Sequence, residues 1–205
     1  VIPAEVGCYL SHVACAQRLL DSQDTHALIL EDDVAFPLDF TAVLRAAMAE
    51  DDSWDILRLS TMNTGRKFGF RDLPGGRRLA KAFTREKGAG AYVINRAAAR
   101  WITGRLMPMR LSYDIAFDLE YLAGLRAVFV DPPPVDQRDE PASQIQMNLR
   151  ASKYPATRYL TVLPYRAWLE ISRLVARSGQ YVYARAHYLP HKTVLKVASF
   201  VLAIT

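Results

Sequence analysis

Hydrophobic and polar positions alternate along the chain in blocks that predict helices interleaved with short strands. Between Glu5 and Asp21 apolar residues recur at helical spacing, and Pro3 with an acid in the first turn marks the start of this helix. The apolar run 27–30 predicts a strand that is buried on both faces. Further helices are predicted over 40–49, 96–106 and 113–123, and further strands over 54–59, 79–84, 91–94 and 127–130.

Cap and loop residues separate these elements and predict the fold class. Asn95 and Ser112 are the expected N-caps of the two later helices. The Gly- and Arg-rich stretch 64–78 predicts a loop that is long enough to be functional or mobile. Strands that alternate with helices predict an α/β domain with a layered sheet over residues 1–150. Residues 151–205 predict a basic, Tyr-rich helical tail.

The composition is that of a globular protein, with 51% hydrophobic and 23% charged residues among 205. The net charge of +5 is unevenly distributed, because residues 151–205 contain eight Lys or Arg and a single acid, Glu170. These residues therefore carry +7 and the rest of the chain carries −2. We expect the tail to meet an anionic membrane surface, and a solvated basic face is the alternative. Because the chain starts at Val1-Ile2-Pro3 rather than at Met, we also expect that an N-terminal strand and helix are missing.

The cysteines and the hydropathy pattern favour the cytoplasm. Cys8 and Cys15 are seven residues apart on a predicted helix, so their Cα atoms lie about 10 Å apart, too far for a disulfide. We expect both to be small core residues in a reducing compartment, and no zinc-type spacing is present. No run of 18 apolar residues predicts a transmembrane helix. The expected location is cytoplasmic, with peripheral association at the inner face of the cytoplasmic membrane and no nucleic-acid partner.

The most informative stretch is Glu31-Asp32-Asp33, three carboxylates that directly follow the apolar run 27–30. Adjacent acids repel one another, so a cation is expected to compensate them, and Mg²⁺ or Mn²⁺ with a phosphorylated ligand is the leading candidate. In an open α/β sheet, ligands bind at the carboxyl ends of strands, where this triplet is expected. In extended geometry Glu31 and Asp33 point to one side and share the cation, with Asp32 opposite. A solvated acidic turn is the alternative.

Four blocks of the chain together resemble one protein family. The first two are Glu5-Val6-Gly7-Cys8-Tyr9-Leu10-Ser11-His12 and Ala27-Leu28-Ile29-Leu30-Glu31-Asp32-Asp33-Val34. The later two are Gly90-Ala91-Tyr92-Val93-Ile94-Asn95-Arg96-Ala97-Ala98 and Pro134-Val135-Asp136-Gln137, the latter followed by Ser143 and Ile145. In this order and spacing they resemble glycosyltransferase family 25, which includes bacterial lipooligosaccharide galactosyltransferases. The resemblance covers about residues 3–147.

This resemblance implies a GT-A-like, Rossmann-type mixed sheet flanked by helices, together with an enzymatic function. The implied reaction is inverting transfer of a sugar, with galactose expected, from a UDP-sugar to a lipooligosaccharide or a related glycan or glycolipid. Asp33 would bind the metal, Mn²⁺ or Mg²⁺, together with Glu31. The residues that the resemblance assigns to donor binding are Ser11, His12, Glu31, Asp32, Tyr92 and Gln137.

Asp114 is the general base that the resemblance favours, although the sequence reads Ser112-Tyr113-Asp114 where the family has a Pro-x-Asp motif. An acid in the first helical turn that favours the helix dipole is the alternative. Asp118 and Glu120 are further candidates, with ordinary solvent-facing acids as their alternative. For the whole protein, a catalytically inactive glycan-binding or scaffold relative is the main alternative. A metal-dependent phosphohydrolase is less favoured, because the extra His/Asp clusters of two-metal sites are missing.

Overall fold

In the computed structural model, which describes residues 3–63, 65–137 and 159–202, helices flank a six-stranded mixed sheet. The predicted mixed α/β architecture, of the Rossmann-like kind, is confirmed. The helices are α1 Pro3–Asp21, α2 Phe40–Met48, α3 Arg96–Arg105, α4 Tyr113–Phe117 and α5 Tyr159–Leu202. The strands are β1 His26–Leu30, β2 Val34–Ala35, β3 Ile56–Arg58, β4 Lys67–Asp72, β5 Arg78–Ala82, β6 Ala91–Asn95, β7 Ala127–Asp131 and β8 Asp136–Gln137.

The strand order of the main sheet is β1-β6-β3-β7-β5-β4, and β2 pairs with β8 in a separate ribbon. Only β3 and β7 run parallel within the main sheet, and its other neighbours are antiparallel. β1 is therefore an edge strand, and Leu28 and Leu30 remain 39% and 41% exposed. The expectation that β1 is buried on both faces is wrong, because helix α1 covers the face that carries Ile29, while no helix among the described residues covers the other face.

Two hydrophobic cores lie on the two faces of the sheet, and β6 contributes to both. Tyr92 and Ile94 point into the core formed with α1, α3 and α4. Ala91 and Val93 point into the core formed with α2. This division follows from the alternation of side chains along a strand. Asn95 ends the strand and caps α3 as expected, since its side chain accepts a hydrogen bond of 2.9 Å from the Ala98 amide.

Three local predictions fail for identifiable reasons. The predicted loop 64–78 contains β4, whose Lys67 and Arg71 lie in the strand because acids elsewhere in the chain, Glu86 and Glu50, pair with them. The predicted helix 113–123 ends at Phe117 and is followed by a separate 3₁₀ turn, Glu120–Ala123. The Ser112 hydroxyl makes no capping hydrogen bond to the backbone and instead donates to Asp114.

Helix α5 is anchored to the body by two buried arginines. Arg177 donates hydrogen bonds of 2.9 Å to Asp118 and 2.8 Å to Glu120, and Arg173 pairs with Asp118 at 3.1 Å. Both acids are fully buried, so the alternative considered from the sequence, that Asp118 and Glu120 are ordinary solvent-facing acids, is wrong. Two of the eight cations counted toward a basic surface are thus internal. Among the residues described, no helix combines the length and apolar content needed to cross a membrane.

Candidate active site

The acidic triplet lies where edge strand β1 leaves the sheet. The Glu31 amide donates a hydrogen bond of 2.8 Å to the Gly90 carbonyl, which ties the triplet to the start of β6. Asp32 and Asp33 form a turn that leads into β2. The sequence prediction assumed extended geometry across the triplet, and this is wrong because Asp32 and Asp33 lie in a turn. All three residues of the triplet line one cavity.

Helix α1 supplies the opposite wall of this cavity. Its volume is about 290 Å³, and the helix residues that face it recur at intervals of three and four, so they share one helical face. The lining residues are Cys8, Ser11, His12, Cys15, Ile29, Leu30, Glu31, Asp32 and Asp33.

His12 connects the triplet to the core through a chain of polar contacts. Its Nε2 lies 3.3 Å from Glu31 Oε1 and its Nδ1 lies 2.8 Å from the Tyr92 hydroxyl. The Tyr92 hydroxyl in turn lies 3.0 Å from that of Tyr113. A carboxylate only accepts, so in a neutral His12 the Nε2 carries the proton and Nδ1 accepts from Tyr92. Tyr113 then donates to Tyr92.

The two tyrosines also fix the position of the His12 ring. The Tyr113 ring stacks on the imidazole with centroids 4.1 Å apart and planes inclined by 5°. Burial raises the pKa of both Tyr92 and Tyr113 above their ordinary value, so both hydroxyls stay protonated and keep their hydrogen bonds. His12 is itself 5% exposed, and the arrangement holds its Nε2 toward Glu31.

Asp114 lies at the start of α4, next to Tyr113. Its Oδ1 accepts hydrogen bonds of 2.8 Å from the Ser112 hydroxyl and from the Ile115 amide. These contacts also stabilise the helix start, the alternative role considered from the sequence. Burial is the main cause that raises the pKa of Cys8, and the charges of Glu31 and Asp114 raise it further. Asp114 is not among the described residues that line the cavity.

The structure brings most of the candidate residues together. Ser11, His12 and the triplet line the cavity, and Tyr92 lies directly behind His12. The backbone of Gln137 pairs with Val34, one residue beyond the triplet. Ser143 and Ile145, also part of the resemblance, lie outside the described residues.

Three further residues contribute to the site and were not predicted from the sequence to do so. Tyr113 was noted only as the neighbour of Asp114, and no sequence pattern indicated its stack on His12. Cys8 and Cys15 were expected in the core, but both are only partly buried and line the cavity. The four-residue spacing between Cys8 and His12 was the available signal, since it places both on one helical face.

The residues that line the cavity include two sets of metal-ligand types. Glu31, Asp32 and Asp33 carry carboxylate oxygens, the ligand type that Mg²⁺ and Mn²⁺ prefer. Separately, ligand atoms of Cys8, His12 and Glu31 all lie within 4.8 Å of one another.

Comparison with known proteins covers the part of the chain that forms this cavity. Residues 3–117 match the family described as glycosyltransferase family 25 (LPS biosynthesis protein). This span is more than half of the 205 residues and includes α1, the triplet, Tyr92 and Asp114. Pro134–Gln137 and the tail lie beyond it. No curated protein matches the chain.

Proposed function

Since the chain belongs to glycosyltransferase family 25 and that family acts in LPS biosynthesis, we propose that it transfers galactose from UDP-galactose to a lipooligosaccharide or a related surface glycan. The observation that carries this proposal is the convergence of the acidic triplet and the His12–Tyr92–Tyr113 chain on one cavity. A site for a nucleoside diphosphate needs cation-binding carboxylates beside a rigid wall, and both are present here.

The triplet is proposed to hold Mn²⁺ or Mg²⁺, with Asp33 and Glu31 as ligands. When bound, the cation would neutralise charge that develops on the departing diphosphate. His12 orients the Glu31 carboxylate through Nε2, and Tyr92 keeps the imidazole in place. Asp32 is assigned to the ribose of the donor. Ser11, on the same face of α1, and Gln137, beside the triplet, complete the proposed donor contacts.

Asp114 is proposed to be the general base of an inverting reaction. Its carboxylate would take the proton of the acceptor hydroxyl as that oxygen bonds to the anomeric carbon from the face opposite the diphosphate. The bond from the anomeric carbon to the diphosphate oxygen breaks in the same step, and the nucleoside diphosphate leaves with the electron pair. The hydrogen bonds from Ser112 and the Ile115 amide fix the orientation of this carboxylate.

Calorimetric titration of UDP in the presence of Mn²⁺ tests the donor site. Asp33→Ala should abolish this binding and leave the thermal unfolding curve intact, whereas Asp24→Ala, an exposed acid before β1, should change neither. Equal UDP affinity in Asp33→Ala and the parent chain would refute the metal assignment.

Asp114→Asn tests the general base. This variant should bind UDP normally but lose sugar transfer, and near-normal turnover would show that Asp114 is not the base. Transfer by the parent chain also excludes a catalytically inactive binding protein.

Helix α5 supports action at the inner face of the cytoplasmic membrane. Its charged side, with Arg173 and Arg177, faces the protein, and its apolar side faces outward. A water-soluble surface helix normally has the reverse arrangement, so the outward face needs an apolar neighbour. The outward residues recur at helical spacing and are 53–78% exposed: Leu160, Trp168, Ile171, Val175 and Val182.

The charged and aromatic residues beside this apolar face favour an anionic lipid bilayer as its partner. Arg185 is exposed beside this face, and Tyr165 and Tyr183 on its flanks are more than half exposed. Exposed cations attract anionic headgroups, and tyrosine rings partition to the level of those headgroups. The acid of this segment, Glu170, is paired with Arg173 at 2.6 Å. We therefore propose that α5 lies in the plane of the membrane interface.

Co-sedimentation with phosphatidylglycerol-containing vesicles tests the membrane proposal. The double substitution Ile171→Asp and Val175→Asp should abolish vesicle binding, whereas Leu122→Asp, at an exposed apolar residue of the body, should preserve it. Light scattering without lipid is the second measurement. If the parent chain dimerises and the double substitution makes it monomeric without changing vesicle binding, the face is an interface between copies and the membrane proposal fails.

A further inference from the structure

Three side chains of different chemistry meet at the cavity wall. Cys8 and His12 are one helical turn apart on α1, so both project from the same face of the helix. Glu31 reaches the same point from the end of β1, with its Oε1 at 3.3 Å from His12 Nε2. A sulfur, a ring nitrogen and a carboxylate oxygen thus lie within 4.8 Å of one another. Within the described part of the chain, this is the one such group of three metal-ligating residues.

We propose that Cys8, His12 and Glu31 form a binding site for a borderline-soft divalent cation of the Zn²⁺ or Co²⁺ class. Thiolate, imidazole and carboxylate are the three ligand types that zinc uses in proteins. A thiolate is a poor ligand for Mg²⁺ or Mn²⁺, which prefer oxygen, so this site differs in kind from the oxygen site of the triplet. The two sites share Glu31, and a cation in one competes with a cation in the other.

The observed separations are compatible with a single ion. Metal–ligand distances of about 2.0–2.3 Å place tetrahedral ligands roughly 3.3–3.8 Å apart, so small side-chain rotations bring the three atoms into range. Three protein ligands leave a fourth position, and the adjoining cavity of about 290 Å³ provides room for water or an oxygen ligand there. This is the pattern of an open zinc site rather than of a closed structural one.

The surroundings of His12 suit a metal ligand. When Nε2 binds the cation, the imidazole proton resides on Nδ1, which then donates to the Tyr92 hydroxyl at 2.8 Å. The Cys8 thiol loses its proton to solvent, so binding releases one proton and leaves a thiolate. The stack on Tyr113 holds the ring in the required orientation. Outer-shell contacts of this kind are typical of histidines that bind metal.

Cobalt spectroscopy on the full chain tests this site directly, because a Co²⁺–thiolate bond gives a charge-transfer band that a carboxylate site lacks. The parent chain should show this band on titration with Co²⁺, and Cys8→Ser should abolish it. Cys15→Ser is the matched control, since Cys15 lines the same cavity from the same helix but lies outside the cluster. A band that is absent from the parent chain, or that Cys15→Ser removes as fully as Cys8→Ser, overturns the proposal.

Zinc affinity, measured by competition with a chromogenic chelator, gives a second readout. Cys8→Ser and His12→Asn should each weaken Zn²⁺ binding at least about tenfold, and equal affinity in either variant and the parent chain overturns the proposal. Mn²⁺-dependent UDP binding by the parent chain is measured separately in the absence of Zn²⁺, so failure of the zinc site and failure of the proposed function are distinguishable. Zn²⁺ should also reduce Mn²⁺-dependent UDP binding by the parent chain, because Glu31 serves both cations.

Discussion

Replacing Arg177 with Ala should separate helix α5 from the body of the protein. The guanidinium is 1% exposed and donates to Asp118 at 2.9 Å and to Glu120 at 2.8 Å. It also donates to the backbone carbonyls of Thr84 at 3.1 Å, Asp118 at 3.3 Å and Ala82 at 3.4 Å. The substitution therefore leaves two buried carboxylates and three carbonyls without this donor.

The two carboxylates are affected unequally. Asp118 keeps the Arg173 guanidinium at 3.1 Å. Glu120 loses its hydrogen-bonded cation, and burial already raises its pKa above the ordinary value even with Arg177 present. Protonation of Glu120 in the variant limits the cost, because a neutral carboxyl is less expensive to bury than a charged one. Breaking a buried ion pair typically costs about 3–5 kcal/mol, and we expect the lower end, about 3 kcal/mol.

Denaturant unfolding followed by circular dichroism measures this loss, and Arg78→Ala is the matched control. Arg78 makes a two-pronged contact with Asp131 at 3.0 and 2.8 Å, but its side chain is 49% exposed. An exposed pair contributes less than about 1 kcal/mol, so the control should unfold close to the parent chain. If Arg177→Ala also loses less than about 1 kcal/mol, the ion pairs do not anchor α5. Adding Glu120→Gln to Arg177→Ala should recover part of the lost stability.

Three further substitutions test other parts of the structure. Burial lowers the pKa of Lys81 to about 7, against about 10.4 in an unfolded chain. Between these two values Lys81 is protonated in the unfolded state but neutral in the folded state, so the free energy of unfolding should rise with pH from about 7 to 10. Denaturant unfolding of Lys81→Met should show no such rise. Asn95→Ala removes the cap of α3 and should cost about 1 kcal/mol in the same assay, whereas a loss near zero would contradict the capping role. Tyr92→Phe frees Nδ1 of His12 and should weaken Mn²⁺-dependent UDP binding about tenfold with little change in fold, and unchanged affinity would show that this contact does not position the site.

Periodicity predicted those elements whose stability depends on residues close in sequence. Helix α1 and strand β6 follow directly from their apolar patterns, and Asn95 carries its capping signal within three residues of the amide that it binds. Strand β4 was missed because its cations are compensated by distant acids, with Lys67 paired to Glu86. No local pattern distinguishes such a strand from a basic loop.

The candidate site shows the same limit. The triplet is contiguous, and its place after β1 could be predicted from the apolar run before it. Its partners come from other elements, since His12 lies 19 residues before Glu31 and Tyr92 lies 80 residues after His12. Zinc-type motifs consist of ligands that are close together in the sequence. The cluster of Cys8, His12 and Glu31 has no such spacing, because Cys8 and His12 share a helix but Glu31 follows a strand.

Helix α5 shows why the charge of a segment does not reveal which of its faces meets a partner. The number of cations in residues 151–205 predicted a basic surface. In the structure, however, Arg173 and Arg177 face the interior, where both guanidinium groups pair with the Asp118 carboxylate. Once these arginines are buried, the helical repeat forces the residues on the opposite side, such as Ile171 and Val175, into solvent. The apolar face is therefore a consequence of the ion pairs that anchor the helix. Attachment of α5 to the body and exposure of its apolar face arise from the same buried arginines.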